Sequence, residues 1–363
     1  MRSVREVTVG VSGDGVSGNA VSRLGEDAAP EAAVGHSGAM TNLDVRPEPE
    51  VCALAPAHGP VAVLHPAREV PLGGVRGMQV RRTLPQRELP FVGAWCFLDE
   101  MGPQDVDMRV LPHPHTALQT VTWPLVGDIL HRDSVGSEVV VRPGQLNLMT
   151  AGHGVSHSEF TLGDAAPLHG VQLWVALPDA VADAAPSFEQ VAAPPVWEAP
   201  GVRATVFVGA LDGAHSPARV HSPLLGADLV VDAGRDVVVP LQRGFEHAVL
   251  VLDGAAHVAG VPVEPGPLLF LGDGRDEVHV RASTPTRLLL LGGAPFEHDL
   301  VMWWNFVGRT HADIAAARDA WESPDAAERF GVVAGHGSDR IPAPALPNVR
   351  LQPRRRRPRS ETA

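Results

Sequence analysis

Short runs of apolar residues, separated by turn signals, fill the middle of the chain. From Gln119 onward the runs are TVTWPLV, DILHRDS, EVVVRPG, QLNLMTAG and VSHSEF. Turn-forming residues separate them at Val126-Gly127-Asp128, Ser134-Val135-Gly136 and Pro143-Gly144. A turn every roughly 8 to 12 residues is typical of an all-β sandwich or barrel. The pattern therefore predicts an antiparallel β barrel in this part of the chain.

A second set of strand-like runs follows the proline-rich link FEQVAAPPVWEAPG. Its members are VRATVFVGA, ADLVVDA, DVVVPLQ, EHAVLVLDGAAHVAG, GPLLFLGDG, EVHVRA and RLLLLGG. Two β barrels in tandem are the simplest architecture that accommodates both sets. We expect the first barrel over residues 60–195 and the second over residues 200–332.

One helix is predicted late in the chain, in THADIAAARDAWESPDAAERF. Thr310 is a suitable N-cap because Asp313 stands three residues later. One helix face follows at i, i+3, i+4 and i+7 spacing: Ile314, Ala317, Arg318 and Trp321. We expect this helix to pack across a barrel, with Trp303 and Trp304 packing at the junction.

Both ends of the chain lack a core-forming pattern. Residues 1–50 are rich in Gly, Ser, Ala and acidic residues, which predicts a disordered leader, and Met40 would serve equally well as a start. Residues 333–363 are rich in Pro and Arg and are expected to form a disordered tail. The run Arg354–Arg359 is interpreted as a solvated terminus rather than a nucleic-acid patch.

Composition limits the function classes. The formal net charge of −13 argues against direct binding of nucleic acid or of anionic membranes, because both need a basic face. Cys52 and Cys96 are the two cysteines, and no long apolar run or leader is present, so we expect a reduced, cytoplasmic protein. The Rossmann, phosphate-loop, nucleophile-elbow and zinc-ribbon motifs are absent from the sequence.

Two histidine-containing pairs carry the candidate chemistry. His113 and His115 stand at positions i and i+2 in LPHPHTA, and His157 and Glu159 repeat that spacing in GVSHSEF. On a strand, residues i and i+2 point to one face, so each pair aims two ligands into one place. The alternative for His-Pro-His alone is a turn with exposed rings. Together the pairs indicate a divalent transition-metal site, with two positions left open in a six-coordinate ion.

The stretch from His113 to Phe160, followed by PLHGVQLWVALP, resembles the N-terminal signature of the pirin family within the cupin superfamily. The resemblance runs from about Val75 to Phe330. It implies a bicupin, two barrels of the double-stranded β-helix or jelly-roll type with a C-terminal helix. It also implies one metal ion, usually iron, held by His113, His115, His157 and Glu159.

Several residues near the two ligand pairs differ from the family pattern. Gln119 stands where the general cupin pattern has Glu, and Thr116, Ala117 and Leu118 replace residues that many pirins have as Arg-Gly-Phe. His153 stands where Arg is common. We interpret Thr116, Leu118, Gln119 and His153 as candidate neighbours of the metal ligands or of the pocket.

The second barrel is expected to be metal-free. His247, His257 and His279 lie on separate strand runs, and none has a second His or a carboxylate at i+2 in the His-x-His or His-x-Glu form. A metal site there would lack a convergent ligand set.

The resemblance to pirins implies two functions of different class, because several pirins oxidise flavonols and others act as iron-dependent binding modules. The first is an Fe(II)-dependent dioxygenase that cleaves flavonols such as quercetin, with dioxygen as co-substrate and Glu159 as the base. The second is a non-enzymatic module whose iron changes oxidation state and so selects a protein partner. The residues leave the metal open, since manganese, nickel, cobalt, copper and zinc accept the same ligands.

Overall fold

The structure, a computed structural model, describes residues 59–72, 78–163 and 166–353. The predicted leader with Met40 and the run Arg354–Arg359 lie outside these residues. Strands make up 54% of the described residues and helices 7%, which confirms the predicted all-β class.

The first half of the chain forms two antiparallel sheets that face each other. One sheet has the strand order β12-β9-β6-β11-β4-β3-β2 and the other has the order β5-β10-β7-β8. The strands are β1 (Pro60–His65), β2 (Arg68–Leu72), β3 (Met78–Leu84), β4 (Trp95–Val106), β5 (Arg109–His115), β6 (Leu118–Val126), β7 (Ile129–Asp133), β8 (Glu138–Val141), β9 (Leu146–Thr150), β10 (Val155–Thr161), β11 (Ala166–Ala176) and β12 (Ser187–Val191). A 3-10 turn at Asp179–Val181 separates β11 from β12.

The second half repeats this plan. Its large sheet has the order β1-β21-β18-β23-β16-β14-β13, with β15 paired to β14, and its small sheet has the order β17-β22-β19-β20. The strands are β13 (Val196–Ala199), β14 (Val202–Leu211), β15 (Ala214–His215), β16 (Leu224–Val231), β17 (Arg235–Pro240), β18 (Glu246–Asp253), β19 (Ala256–Val258), β20 (Val261–Val263), β21 (Leu268–Gly272), β22 (Glu277–Ala282), β23 (Thr286–Gly293), β24 (Val301–Trp303) and β25 (Phe306–Gly308).

The two large sheets share one hydrophobic core. Trp123 on β6 stacks on Phe207 of β14, with ring centroids 4.9 Å apart. The Trp123 indole N–H donates to the carboxylate of Asp228 at 3.0 Å, and Arg287 pairs with the same carboxylate. Apolar residues of β6 therefore pack outward against the second barrel, and the intervening polar residues of β6 face the interior of the first.

Strand β1 differs from the boundary that the sequence indicates at residue 60. It pairs antiparallel with β21, for example Val63 with Phe270, so residues 60–65 extend the large sheet of the second barrel. The chain then enters the first barrel at β2. A boundary drawn from strand spacing misses this exchange because the pairing partner lies about two hundred residues away.

The chain returns to the first barrel after β23. The Thr116 carbonyl accepts the Val307 N–H of β25 at 3.3 Å. Helix α1 (His311–Glu322) follows with the predicted capping box between Thr310 and Asp313. It ends before Pro324, because the residue preceding a proline avoids the helical region, and α2 (Ala326–Phe330) is a separate helix. The predicted single helix is therefore two.

Residues 331–353, here termed the C-terminal segment, differ from the disordered tail expected from residue 333. Val333, Ala343 and Leu351 are buried, and the Trp321 indole donates to the Ile341 carbonyl at 2.9 Å. The Ile341 N–H donates to the Pro112 carbonyl of β5 at 2.8 Å. Composition alone suggested disorder because the segment is rich in proline and its buried apolar residues are widely spaced in the sequence. Trp303 and Trp304 pack in the same cluster with Ile314 and Trp321, as predicted.

Neither α1 nor α2 is long and apolar enough to cross a membrane, and the described residues contain no other helix that is.

Candidate metal centre

Adjacent strands β5 and β10 bring the two predicted ligand pairs together. His157 lies opposite His113 in the antiparallel register, and a register irregularity follows between His157 and Glu159. The four side chains point into the first barrel, where His113, His115, His157 and Glu159 are 1%, 1%, 0% and 4% exposed. The side chains at positions i and i+2 of both strands therefore share one face, which points into the barrel.

Three imidazoles converge at one point. One ring nitrogen of each of His113, His115 and His157 lies within 4.8 Å of the others. The Nε2 atoms of His115 and His157 are 3.1 Å apart. Nitrogens at this separation can bind one ion at about 2.1 Å each.

The outer ring nitrogens of two of these histidines donate to backbone carbonyls. His113 Nδ1 donates to Leu111 O at 2.9 Å, and His115 Nδ1 donates to Asn305 O at 3.2 Å. Because a carbonyl only accepts, the hydrogen is on Nδ1 and the Nε2 lone pair is free. Both rings are therefore held in the tautomer that binds a metal through Nε2.

Burial keeps these rings neutral. It lowers the pKa of His113 to about 4, against a smaller opposing contribution from the Leu111 carbonyl. Burial also holds the pKa of His115 and of His157 well below the ordinary value, and the neighbouring histidines lower both further. Neutral imidazole is the ligand form, so the protein needs no deprotonation here near pH 7.

The Asn305 carbonyl comes from the turn between β24 and β25, far along the chain. Trp304 in this turn has φ +51°, in the left-handed region, which costs of order 1 kcal/mol for a bulky residue. Its ring meets Phe306 edge-on, with the centroids 5.3 Å apart. The sequence gives no signal for this contact to His115.

Glu159 is buried beside this cluster and belongs to a second group of potential ligands with His157 and His131. Its Oε1 accepts the Thr122 hydroxyl hydrogen at 2.9 Å, and Gln172 lies 3.0 Å from the same hydroxyl. A hydroxyl has one hydrogen, so we assign the Gln172 amide nitrogen to that contact. Burial raises the pKa of Glu159, against the opposing effects of His131 and Thr122.

Sequence reasoning missed His131 and Asp133 on β7. In the register, His131 lies opposite Glu159 and Asp133 lies opposite His157. His131 Nε2 is 3.0 Å from Asp133 Oδ2, and its Nδ1 is 3.4 Å from His157 Nδ1. The signal was present in DILHRDS, which has the same i, i+2 spacing as the two ligand pairs.

The four candidate pocket residues lie in different places. Thr116 donates its hydroxyl hydrogen to Val307 O at 3.0 Å, and Leu118 is buried in the cluster that contains Trp174. Gln119 bonds to the Thr150 hydroxyl and the Arg219 carbonyl, so its contacts are with neither the imidazoles nor Glu159. His153 is exposed, with Nδ1 3.2 Å from Ala184 O.

Comparisons with known proteins agree with this architecture. The family models described as "Pirin" and "Pirin C-terminal cupin domain" match residues 77–175 and 226–327. A Pseudomonas aeruginosa protein, provisionally named a quercetin 2,3-dioxygenase, is 45% identical over 77% of this chain and 89% of its own length. A pirin-like protein of Caulobacter vibrioides is 34% identical over 71% of this chain and 91% of its own.

A comparison with solved structures finds a similar fold. The crystal structure of a quercetin 2,3-dioxygenase from Acinetobacter baumannii superposes with a TM-score of 0.76 at 40% identity, covering 80% of this chain and 97% of that one.

Proposed function

This chain belongs to the pirin family, and from that premise we propose that it is a metal-dependent dioxygenase that cleaves flavonols such as quercetin. The observation that carries the proposal is the convergence of three buried, neutral imidazoles beside a buried carboxylate. The names of the Pseudomonas and Acinetobacter relatives support the choice of substrate.

The donor set fits a divalent first-row transition ion. His113, His115, His157 and Glu159 would hold it, and we propose Fe(II), with manganese, nickel, cobalt, copper and zinc as the other ions that such ligands accept. When bound, the ion supplies Lewis acidity that lowers the pKa of the flavonol hydroxyl and brings the substrate and dioxygen together.

The protein's own groups then serve two purposes. Glu159, through the oxygen that is not bonded to Thr122, accepts the proton of the flavonol hydroxyl, a role that its raised pKa suits. Trp174 meets His115 edge-on at 5.1 Å and stacks on Phe97 at 4.0 Å. This wall orients His115 and keeps water from that side of the site. Cleavage places both atoms of dioxygen in the products and releases one ring carbon as carbon monoxide.

The test uses anaerobic protein loaded with Fe(II), to which quercetin and then air are added. We expect loss of the flavonol absorbance and release of one carbon monoxide per flavonol, trapped by reduced myoglobin. The comparison variant is Glu159→Gln, which keeps the shape of the side chain and removes both the base and the carboxylate ligand; its metal content is measured beside its activity, and a variant that binds iron but does not consume the flavonol is expected. Persistence of the flavonol absorbance at every iron loading would exclude the proposed reaction.

The near-complete burial of the ligands favours a second candidate, an iron-dependent module that binds a protein partner. In this case the charge of the ion acts on the surface above it and not on a substrate. Partner capture that is equal for ferrous and ferric protein would exclude this candidate. A cytoplasmic location is part of both proposals, in keeping with a sequence that has two cysteines.

A further inference from the structure

His131 and Asp133 lie directly behind His157 and have no part in the reaction proposed above. We propose that this pair is a positioning device: Asp133, acting through His131, keeps the His157 hydrogen on Nδ1, so that His157 Nε2 stays free to bind the metal ion. The inference rests on the metal site of the proposed function.

His157 needs such a device because its neighbour is ambiguous. His113 and His115 each face a carbonyl, which accepts only, whereas His157 Nδ1 faces another imidazole nitrogen, His131 Nδ1, at 3.4 Å. That atom is a donor in one tautomer of His131 and an acceptor in the other. The state of His131 therefore decides which nitrogen of His157 carries the hydrogen.

Asp133 removes the ambiguity. Its Oδ1 accepts the N–H groups of Val135 and Ser137 at 3.0 and 2.9 Å, which leaves Oδ2 for His131 Nε2 at 3.0 Å. Burial alone would raise the pKa of Asp133, but the hydrogen bonds from His131 and Ser137 lower it below the ordinary value. A carboxylate only accepts, so His131 Nε2 carries the hydrogen and its Nδ1 accepts from His157.

The His131 ring is also fixed in orientation. Phe188 stacks on it with ring centroids 4.6 Å apart and planes inclined by 21°. His131 and Asp133 are each 2% exposed, so water does not compete for their hydrogen bonds. The His131 ring, whose tautomer sets that of His157, is thus held between a fixed carboxylate and an aromatic face.

Asp133→Asn is the sharpest test, because the substitution should reverse the order of donors. The Val135 and Ser137 N–H groups keep the amide oxygen at Oδ1, which places the amide NH₂ against His131 Nε2. His131 would then carry its hydrogen on Nδ1 and donate to His157, moving the His157 hydrogen to Nε2. We expect Co(II) affinity, measured by chelator competition, to fall by about 10- to 100-fold.

A second pair of variants separates positioning from packing. His131→Phe keeps the stack on Phe188 and removes the acceptor, so Co(II) affinity should fall. His131→Asn returns an amide oxygen near the position of Nδ1 and should recover most of it. The matched control is His169→Phe, which removes another buried histidine–carboxylate pair of the first barrel, that with Glu100 at 3.1 Å. It should leave Co(II) affinity unchanged.

The unfolding temperature of each metal-free variant and the visible absorption of bound Co(II) are the accompanying readouts. We expect Asp133→Asn to change the Co(II) spectrum while the metal-free protein unfolds near the wild-type temperature. The positioning role is overturned if Asp133→Asn binds Co(II) as tightly as wild type, or if His131→Asn is no better than His131→Phe. It is also overturned if wild type binds two ions and His131→Phe loses one, since His131 would then be a ligand. Failure of wild-type protein to bind Co(II) would overturn the metal site itself.

Discussion

The two barrels place the same strands around interiors of opposite character. The small sheet of the first barrel runs β5-β10-β7-β8, and that of the second runs β17-β22-β19-β20. The first sheet turns His113, His115, His131, Asp133, His157 and Glu159 inward. At the matching strands the second sheet buries Val237, Val239, Val258, Val278 and Val280. The same small sheet therefore folds over an apolar cluster, so the fold does not need the polar side chains of the first barrel, and we attribute them to its chemistry.

The outer faces of these sheets differ as well. In the second barrel Glu277, His279 and Arg281 of β22 are exposed. In the first barrel the outward residues of β10 are covered: Ser156 donates to the Phe330 carbonyl, and Ser158 bonds to His336 at 2.9 Å. The strands that carry the candidate ligands are thus held from both sides, which limits their movement.

Giving β5 the buried valines of β17 should have the largest effect, because it removes two of the side chains by which the two interiors differ. His113→Val combined with His115→Val replaces the two imidazoles by the residues that β17 buries as Val237 and Val239. We expect metal affinity to fall by more than the roughly 100-fold that loss of an outer partner causes, while the metal-free protein stays folded. Elemental analysis and thermal unfolding report the two effects.

The control for that variant is His279→Val, on the exposed face of β22, which should keep the wild-type metal content. Retention of metal by the double variant would show that the ligands lie elsewhere. Failure of the double variant to fold would show that the two interiors are not equivalent.

Ending the chain at Phe330 should uncover Ser158 on the outer face of β10, because His336 is removed, and should leave β22 unchanged. The buried Val333, Ala343 and Leu351 side chains are lost, which should lower the free energy of unfolding by roughly 3 kcal/mol. In hydrogen exchange, the amides of β10 should lose protection and those of β22 should keep theirs. Equal protection of β10 in both chains would mean that the C-terminal segment does not brace the ligand strands.

The second barrel also buries a histidine, His247, whose protonation affects stability at acid pH. It is fully buried, and neither ring nitrogen makes a well-formed hydrogen bond to a described residue. Burial lowers its pKa to about 4, against a small opposing effect of the Phe245 backbone. The unfolded chain therefore gains a proton as pH falls below about 6.5, while the folded chain does not until about 4. Stability that is complete above about 6.5 is lost over this window, by up to about 3 kcal/mol.

His247→Leu removes this titration and the poorly hydrogen-bonded ring. We expect higher stability than wild type at pH 7 and a smaller loss between pH 7 and 4.5, measured by urea unfolding of metal-free protein. His257→Leu, at an exposed position of β19, is the matched control. A lower stability of His247→Leu at pH 7 would show that the buried ring has a partner that stabilises it.

Local pattern was enough to predict the strands and the shared face of each histidine-containing pair, because alternation and turn spacing are short-range signals. The capping-box spacing of Thr310 and Asp313 likewise predicted the start of α1. Contacts made across long separations were not predictable: β1 joining β21, the Asn305 carbonyl behind His115, and Ile341 on Pro112 depend on the assembled fold. His131 lies between these cases, because its spacing to Asp133 was visible but its contact with His157 was not.

The central claim is that one metal ion is held by His113, His115, His157 and Glu159. X-ray absorption at the metal edge of protein purified with its own metal tests it most directly. We expect one first-row ion per chain, with nitrogen and oxygen neighbours at about 2.1 Å and the outer scattering of three imidazoles. A chain without bound ion, or an ion whose spectrum lacks imidazole scattering, would contradict it.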